Sequence, residues 1–166
     1  TVLTMNDGLI DSTGGTLVLG GDFVKSGGTL TISQTDLKLA DEITLTSDIA
    51  LSFVNLNLND YALTLGSLTS DLTVQNAITI DTSTEGISTG EADLILNSGL
   101  TMNNGLIDST GGTWSLGGDF VKSSGTLTIS QTNLELADSI TLTSDEALSF
   151  VNLNLNDYAL TLGSSS

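Results

Sequence analysis

The sequence predicts an all-β chain folded as a right-handed parallel β-helix, a β-solenoid with three short strands per turn and about 19–20 residues per turn. Three observations predict it: a long internal repeat, apolar residues alternating in short pairs, and turn residues between those pairs. The stretch Leu3 to Ser67 returns as Leu100 to Ser164, an offset of 97 residues, with only eight differences over 65 aligned positions. The chain is therefore expected to form one continuous solenoid over 1–166: a first repeat copy at 3–67, intervening turns at 68–99 and a second copy at 100–164.

Within the first copy the apolar pairs are Leu17/Leu19, Leu30/Ile32, Leu37/Leu39, Ile43/Leu45, Leu51/Phe53, Leu56/Leu58 and Leu63/Leu65. Period two sends these to one side of a strand and the Thr, Asn, Lys and Ser between them to the other. Gly14-Gly15, Gly20-Gly21-Asp22, Gly27-Gly28, Thr46-Ser47-Asp48 and Asn59-Asp60 separate the strands with residues that accept positive φ or bond their own backbone. The series Leu17, Leu37, Leu56, Ile78, Leu94, Trp114 steps by 20, 19, 22, 16 and 20 residues, which predicts five turns per repeat. Parallel strands joined by such crossovers wind right-handedly, and eight or nine turns at about 4.8 Å each make a rod roughly 40 Å long.

The differences between copies test the alternation. Val18/Ser115 and Lys38/Glu135 fall between inward pairs, Asp36/Asn133 and Glu42/Ser139 flank strands, and Gly27/Ser124 lies in a turn. Ile49/Glu146 cannot be core in both copies, so the strand there is expected to begin at Leu51. Leu17/Trp114 puts a large ring at an inward position, where overpacking costs about 1–3 kcal/mol unless the turn opens.

Composition excludes whole classes of function. Twenty acids against three lysines, without arginine, give a net charge of −17, which cannot neutralise phosphates, so no nucleic-acid partner is expected. Without His or Cys there is no imidazole base, thiol nucleophile or usual zinc ligand set, leaving carboxylates, hydroxyls and Lys25, Lys38 and Lys122. No apolar run approaches the roughly 18 residues of a membrane helix, and the first residues carry no leader pattern, so no membrane insertion of this segment is expected. The absence of cysteine fixes no compartment.

The runs GGTLVLGGDFVKSGGTLTISQ and LNLNDYALTLGS resemble the β-helical repeats of large bacterial surface proteins, the filamentous-haemagglutinin-type adhesins and autotransporter passenger domains. The resemblance covers nearly the whole chain and consists of GTLTI-like strands with Gly-Asp or Asn-Asp turns. It implies an extracellular rod at the bacterial cell surface, used for adhesion, cell-to-cell contact or as a spacer, whose partners are surface molecules, glycans or copies of itself. It carries over no catalytic residue, and the chain is expected not to be an enzyme. The starting and ending strand patterns read as a fragment of a longer array.

No cofactor is required by this reading, but calcium is a candidate, since acids at turns supply hard oxygen donors. Asp22, Asp41, Glu42 and Asp60, with Asp119, Asp138 and Asp157 in the second copy, are such turn acids, against the alternative that they are solvated. The least regular stretch, 81–93, holds the metal candidates Asp81, Glu85, Glu91 and Asp93 and reads either as a protruding loop or as an irregular turn. Trp114 is the ligand-binding candidate, provided it is exposed. Two rival functions remain: a carbohydrate-binding or carbohydrate-active β-helix working with paired carboxylates, and an ice-binding solenoid. The Thr29/Thr31 and Thr44/Thr46 pairs lie 15 residues apart, so they are expected on different faces rather than in one ladder.

Overall fold

The computed structural model describes residues 1–67 and 70–164, with Thr84 and Ser164 as backbone only; the expected boundary at Leu68 lies outside the described residues. Short strands, all paired in parallel, wind into a solenoid of about eight turns, and no helix occurs among the described residues. Glycines, Asn and Asp at the corners, and alternation between them, leave the chain no local pattern other than short strands. The alternation reads out as expected: Leu37, Leu39, Ile43, Leu45, Leu51, Phe53, Leu63 and Leu65 are all buried, and Leu72, Val74, Leu94 and Leu96 extend that core through the intervening turns.

Three columns of strands build the walls. In the first, Leu3 pairs with Phe23, Phe23 with Leu45, Ile43 with Leu63, Leu63 with Ile87, and Ile107 lies between Ile87 and Leu127. The second runs Leu51, Leu72, Leu94, Trp114, Leu134, Leu153. A third wall stacks Leu17 on Leu37 on Leu56 as a three-stranded sheet, and later in the chain Ile78, Leu100, Phe120 and Leu142 stack in register.

These registers correct the five-turn reading of the repeat. Ile78 pairs with Leu100, not with Leu94, while Leu94 joins Leu72 to Trp114 in a different column. A step of 16 residues is too short for a turn whose neighbours advance by 20 or more, so the apolar series crossed from one face to the next. Counting from Leu3, four turns reach Ile87, and two further faces, at Leu94 and Leu100, reach the second copy. The 97-residue repeat therefore spans four and two-thirds turns. Each copy keeps its internal registers, Leu3–Phe23 matching Leu100–Phe120 and Phe23–Leu45 matching Phe120–Leu142, but the second is mounted one face around.

The extra residues sit where the regular turn is interrupted. Leu63 to Ile87 spans 24 residues, and the strand Ile78–Gly90 carries register shifts at Ile80/Asp81, Asp81/Gly86 and Ser88/Gly90 against its neighbour. The 81–93 stretch is thus mainly an irregular turn inside the sheet rather than a loop standing away from it.

Most copy differences fall outside the core as expected. Val18 is exposed, Lys38 and Glu135 are half-buried, Glu42 and Ser139 are exposed, and the third strand of its turn begins at Leu51, with Ile49 at an exposed corner. Lys25 and Lys122 depart from the expectation that lysines point outward. In Phe23-Val24-Lys25 the anchor is Phe23, so period two turns Lys25 inward, and both lysines are buried.

Candidate functional site

The buried lysines define the most unusual electrostatics of the rod. Lys25 Nζ lies 2.5 Å from Asp48 Oδ1 in the next turn, and the Asp48 backbone N–H donates to the Lys25 carbonyl at 3.1 Å. The second copy repeats this with Lys122 and Asp145 at 2.5 Å, and adds Glu146 Oε1 at 3.2 Å. Glu146 stands where the first copy has Ile49, so the copy difference supplies a second carboxylate to one buried ammonium. Burial pulls the Lys122 ammonium down, but hydrogen bonds and charge from Asp145 and Glu146 together outweigh it and hold the group above its ordinary value. These lysines are structural clips between turns and present no amine to solvent.

Several corner acids act as clips as well. Asp22 Oδ1 accepts the Thr44 N–H at 2.8 Å, and Asp119 Oδ1 accepts that of Thr141 at 2.7 Å. Asp71 Oδ1 accepts from the Asp93 N–H, and Asp93 Oδ1 accepts from Thr113 N–H at 2.7 Å, so three successive turns are tied by two carboxylates. Asp41 and Asp138 bond the backbone N–H of the following residue. Side-chain amides add ladders: Asn76 Nδ2 donates to Asn55 Oδ1, Asn55 Nδ2 to Asp36 Oδ1, and Asn152 Nδ2 to Asn133 Oδ1. A corner Asp or Asn thus satisfies a backbone or amide group, either in the next residue, as Asp41 and Asp138 do, or one turn away, as Asp22, Asp93 and Asn55 do.

The four metal candidates do not come together. Asp93 is engaged between turns, Glu91 is exposed and packs its methylenes beside Gly111, and the Glu85 carbonyl accepts from Thr82 Oγ1. Among the described residues no three carboxylates gather around one point. Trp114 is buried, 1% exposed, with ring centroids 6.3 Å from Phe120 and 6.1 Å from Phe150. It is a core residue and offers no face to a ligand; its Nε1–H has no partner among the described residues. Nothing in the copy differences accounts for the room the larger ring takes.

Asp81 instead meets a residue from the preceding turn. It lines a concavity of about 380 Å³ shared with Asn57, Asn59, Asp60, Thr79 and Thr82, its apolar lining coming from Leu56 and Leu58.

 The larger hollow, of about 440 Å³, is a separate and mostly apolar one at the last turn, lined among others by Leu148, Phe150, Leu153 and Leu160. In the 380 Å³ hollow, Asp60 and Asp81 stand 21 residues apart, one turn of the solenoid, so the winding brings them to the same concavity. Asn59 and Asp60 hold left-handed backbone, φ 51° and 65°, which turns the chain sharply at the rim. Asn59 Nδ2 is spent on the Leu39 carbonyl and Asn57 Oδ1 on the Asn59 N–H. Neither the Asp60 nor the Asp81 carboxylate has a bonding partner among the described residues. Sequence reasoning grouped Asp81 with its chain neighbours and missed this pairing; the one-turn spacing to Asp60 was the available signal.

The one-face rotation also divides the outward threonines. Thr79, Thr101, Val121 and Thr143 form one rank, and Thr4, Val24 and Thr46 another, on different faces. Thr44 pairs with Thr64, while Thr29 and Thr31 pair with Leu9 and Asp11 in a separate column. No single flat threonine ladder runs the length of the described rod. In comparisons with known proteins, no family model, no curated protein and no solved structure matches the chain.

Proposed function

We propose that this chain is a rigid, acidic rod segment of a repetitive bacterial surface protein, working outside the cell as an adhesive or spacer element and not as an enzyme. The observation that supports the reading is the use made of its polar side chains. Lys25, Lys122 and several corner aspartates and asparagines are engaged in bonds from one turn to the next, which stiffens the stack along its axis. Most of the remaining acids face solvent, and at −17 they keep neighbouring rods apart at low ionic strength. The partners of such a rod are surface molecules or glycans met along its length. The divided threonine ranks disfavour a planar lattice such as ice as the partner.

The experiment is a bead assay. Beads coated with the full chain settle on bacterial and animal cell layers under flow, beside beads coated with an inert acidic protein of similar charge. Retention above that control on at least one surface is the expected result; retention equal to it on every surface overturns the adhesive role.

A further inference from the structure

We infer that the hollow between the Asn57–Asp60 corner and the Thr79–Thr82 strand segment is a binding site for a neutral pyranose sugar. Its volume of about 380 Å³ falls in the range of small-ligand sites. Its chemistry is two-sided, as a pyranose is. Half-buried Leu56 supplies apolar surface for the C–H face of a ring, above the buried Leu58, while Asp60, Asp81, the Thr79 hydroxyl and the Asn57 Nδ2 supply acceptors and donors for hydroxyls. A carboxylate accepts from two adjacent hydroxyls at once, and bonds to a charged acceptor are the stronger kind. The two carboxylates make no other bond among the described residues, so a sugar displaces only water from them.

The same charges select against acidic ligands. A uronate, a sialylated sugar or a phosphate would meet two carboxylates in a chain without arginine, and Lys25 and Lys122 are buried in their own pairs. Lys38, beside Asn57 by register, sits one turn above and is not part of the lining. The molecule also contains its own control. Asn154–Asp157 repeats the corner, with Asn156 and Asp157 at φ 48° and 66°, but no counterpart of the Thr79–Thr82 segment faces it among the described residues.

The assignment gives the adhesive reading a ligand class and rests on that reading for its purpose alone; the binding itself stands on the hollow. The test is an amide-resolved NMR titration of the full chain with methyl β-galactopyranoside, methyl α-mannopyranoside and glucuronate. Shifts confined to 56–60 and 79–82 with a neutral glycoside, half-saturating at roughly millimolar concentration, are expected, with none at 153–157. Asp60→Asn, which tolerates the left-handed backbone, and Asp81→Asn should each weaken binding at least fivefold, and Asp157→Asn should leave it unchanged. No shift with either glycoside, equal shifts at both corners, tighter binding of glucuronate, or shifts with calcium chloride alone and none with sugar would each overturn it. Repeating the bead assay with the double variant Asp60→Asn/Asp81→Asn separates the two readings: adhesion that survives loss of sugar binding removes only this site as its cause, and sugar binding without adhesion removes only the adhesive role.

Discussion

Deleting the carboxylate from each lysine clip should have unequal consequences in the two copies. In the first, Lys25 is 2% exposed and Asp48, at 42%, is its sole ion-pair partner among the described residues. Breaking a fully buried pair by removing one partner costs about 3–5 kcal/mol, because a charge is left without compensation. Asp48 is part-exposed, so water can enter its vacated space, and the expected loss for Asp48→Ala is nearer 2–3 kcal/mol. In the second copy Asp145→Ala leaves Glu146 Oε1 at 3.2 Å from Lys122, and the loss should be about 1 kcal/mol. Removing the cation instead is mild: Lys25→Met fills similar volume and leaves Asp48 in water, so it should change stability by less than about 1 kcal/mol. Urea unfolding with hydrogen exchange at 23–25, 45–48, 120–122 and 142–146 gives both the global and the local values. Equal losses for Asp48→Ala and Asp145→Ala, or a larger loss for Lys25→Met than for Asp48→Ala, would refute the reasoning. Ile49→Glu added to Asp48→Ala should restore most of the loss by copying the second clip into the first.

Three further outcomes follow from the same geometry. The Lys122 value is raised on folding, so its contribution is fully present below the unfolded value of 10.5 and is lost as pH rises through the higher folded value. Trp114 emission should therefore shift to the red at alkaline pH above 10.5 in the wild-type chain and less so in Lys122→Met, which controls for tyrosine ionisation. Because Thr79 pairs with Thr101, a Thr79→Cys/Thr101→Cys chain should form a disulfide under mild oxidation, and Thr79→Cys/Ile95→Cys should not; the reverse pattern would restore the five-turn repeat. Gly15 and Gly112 are the same repeat position, both with positive φ, at 82° and 69°. A methyl at Gly112 would stand 2.5 Å from the Ala92 carbonyl oxygen, whereas nothing lies within 4 Å of one at Gly15. Gly15→Ala should lose about 1–2 kcal/mol for backbone strain alone, and Gly112→Ala distinctly more, measured by urea unfolding.

Much of the wall was legible in the sequence, for a local reason. The two-residue period of a strand decides which side chains share a face, so Leu37/Leu39 and Leu63/Leu65 could be assigned inward from their neighbours alone. Lys25 obeys the same rule, but its chemistry argued for solvent and Phe23 was not used as the anchor. The candidate site was legible only in part. Asp81 was picked out for lying in the irregular stretch, yet its partners Asp60 and Thr79 depended on how that stretch is wound. Trp114 was correctly placed at an inward position, and burial then removed it as a ligand platform.

By itself the sequence determined the fold class, the repeat, the strands and the inward set, because alternation and turn chemistry act over a few residues. The phase between the two copies was decided only in the tertiary structure. Whether 97 residues make five turns or four and two-thirds depends on how many residues the corners absorb between Leu63 and Leu100, and the bulges near Asp81 absorb them without changing the alternation. That phase sets which faces the outward residues of each copy occupy, and it brings Asp60 and Asp81 to one hollow, since contacts across turns are fixed by winding and not by neighbours in the chain.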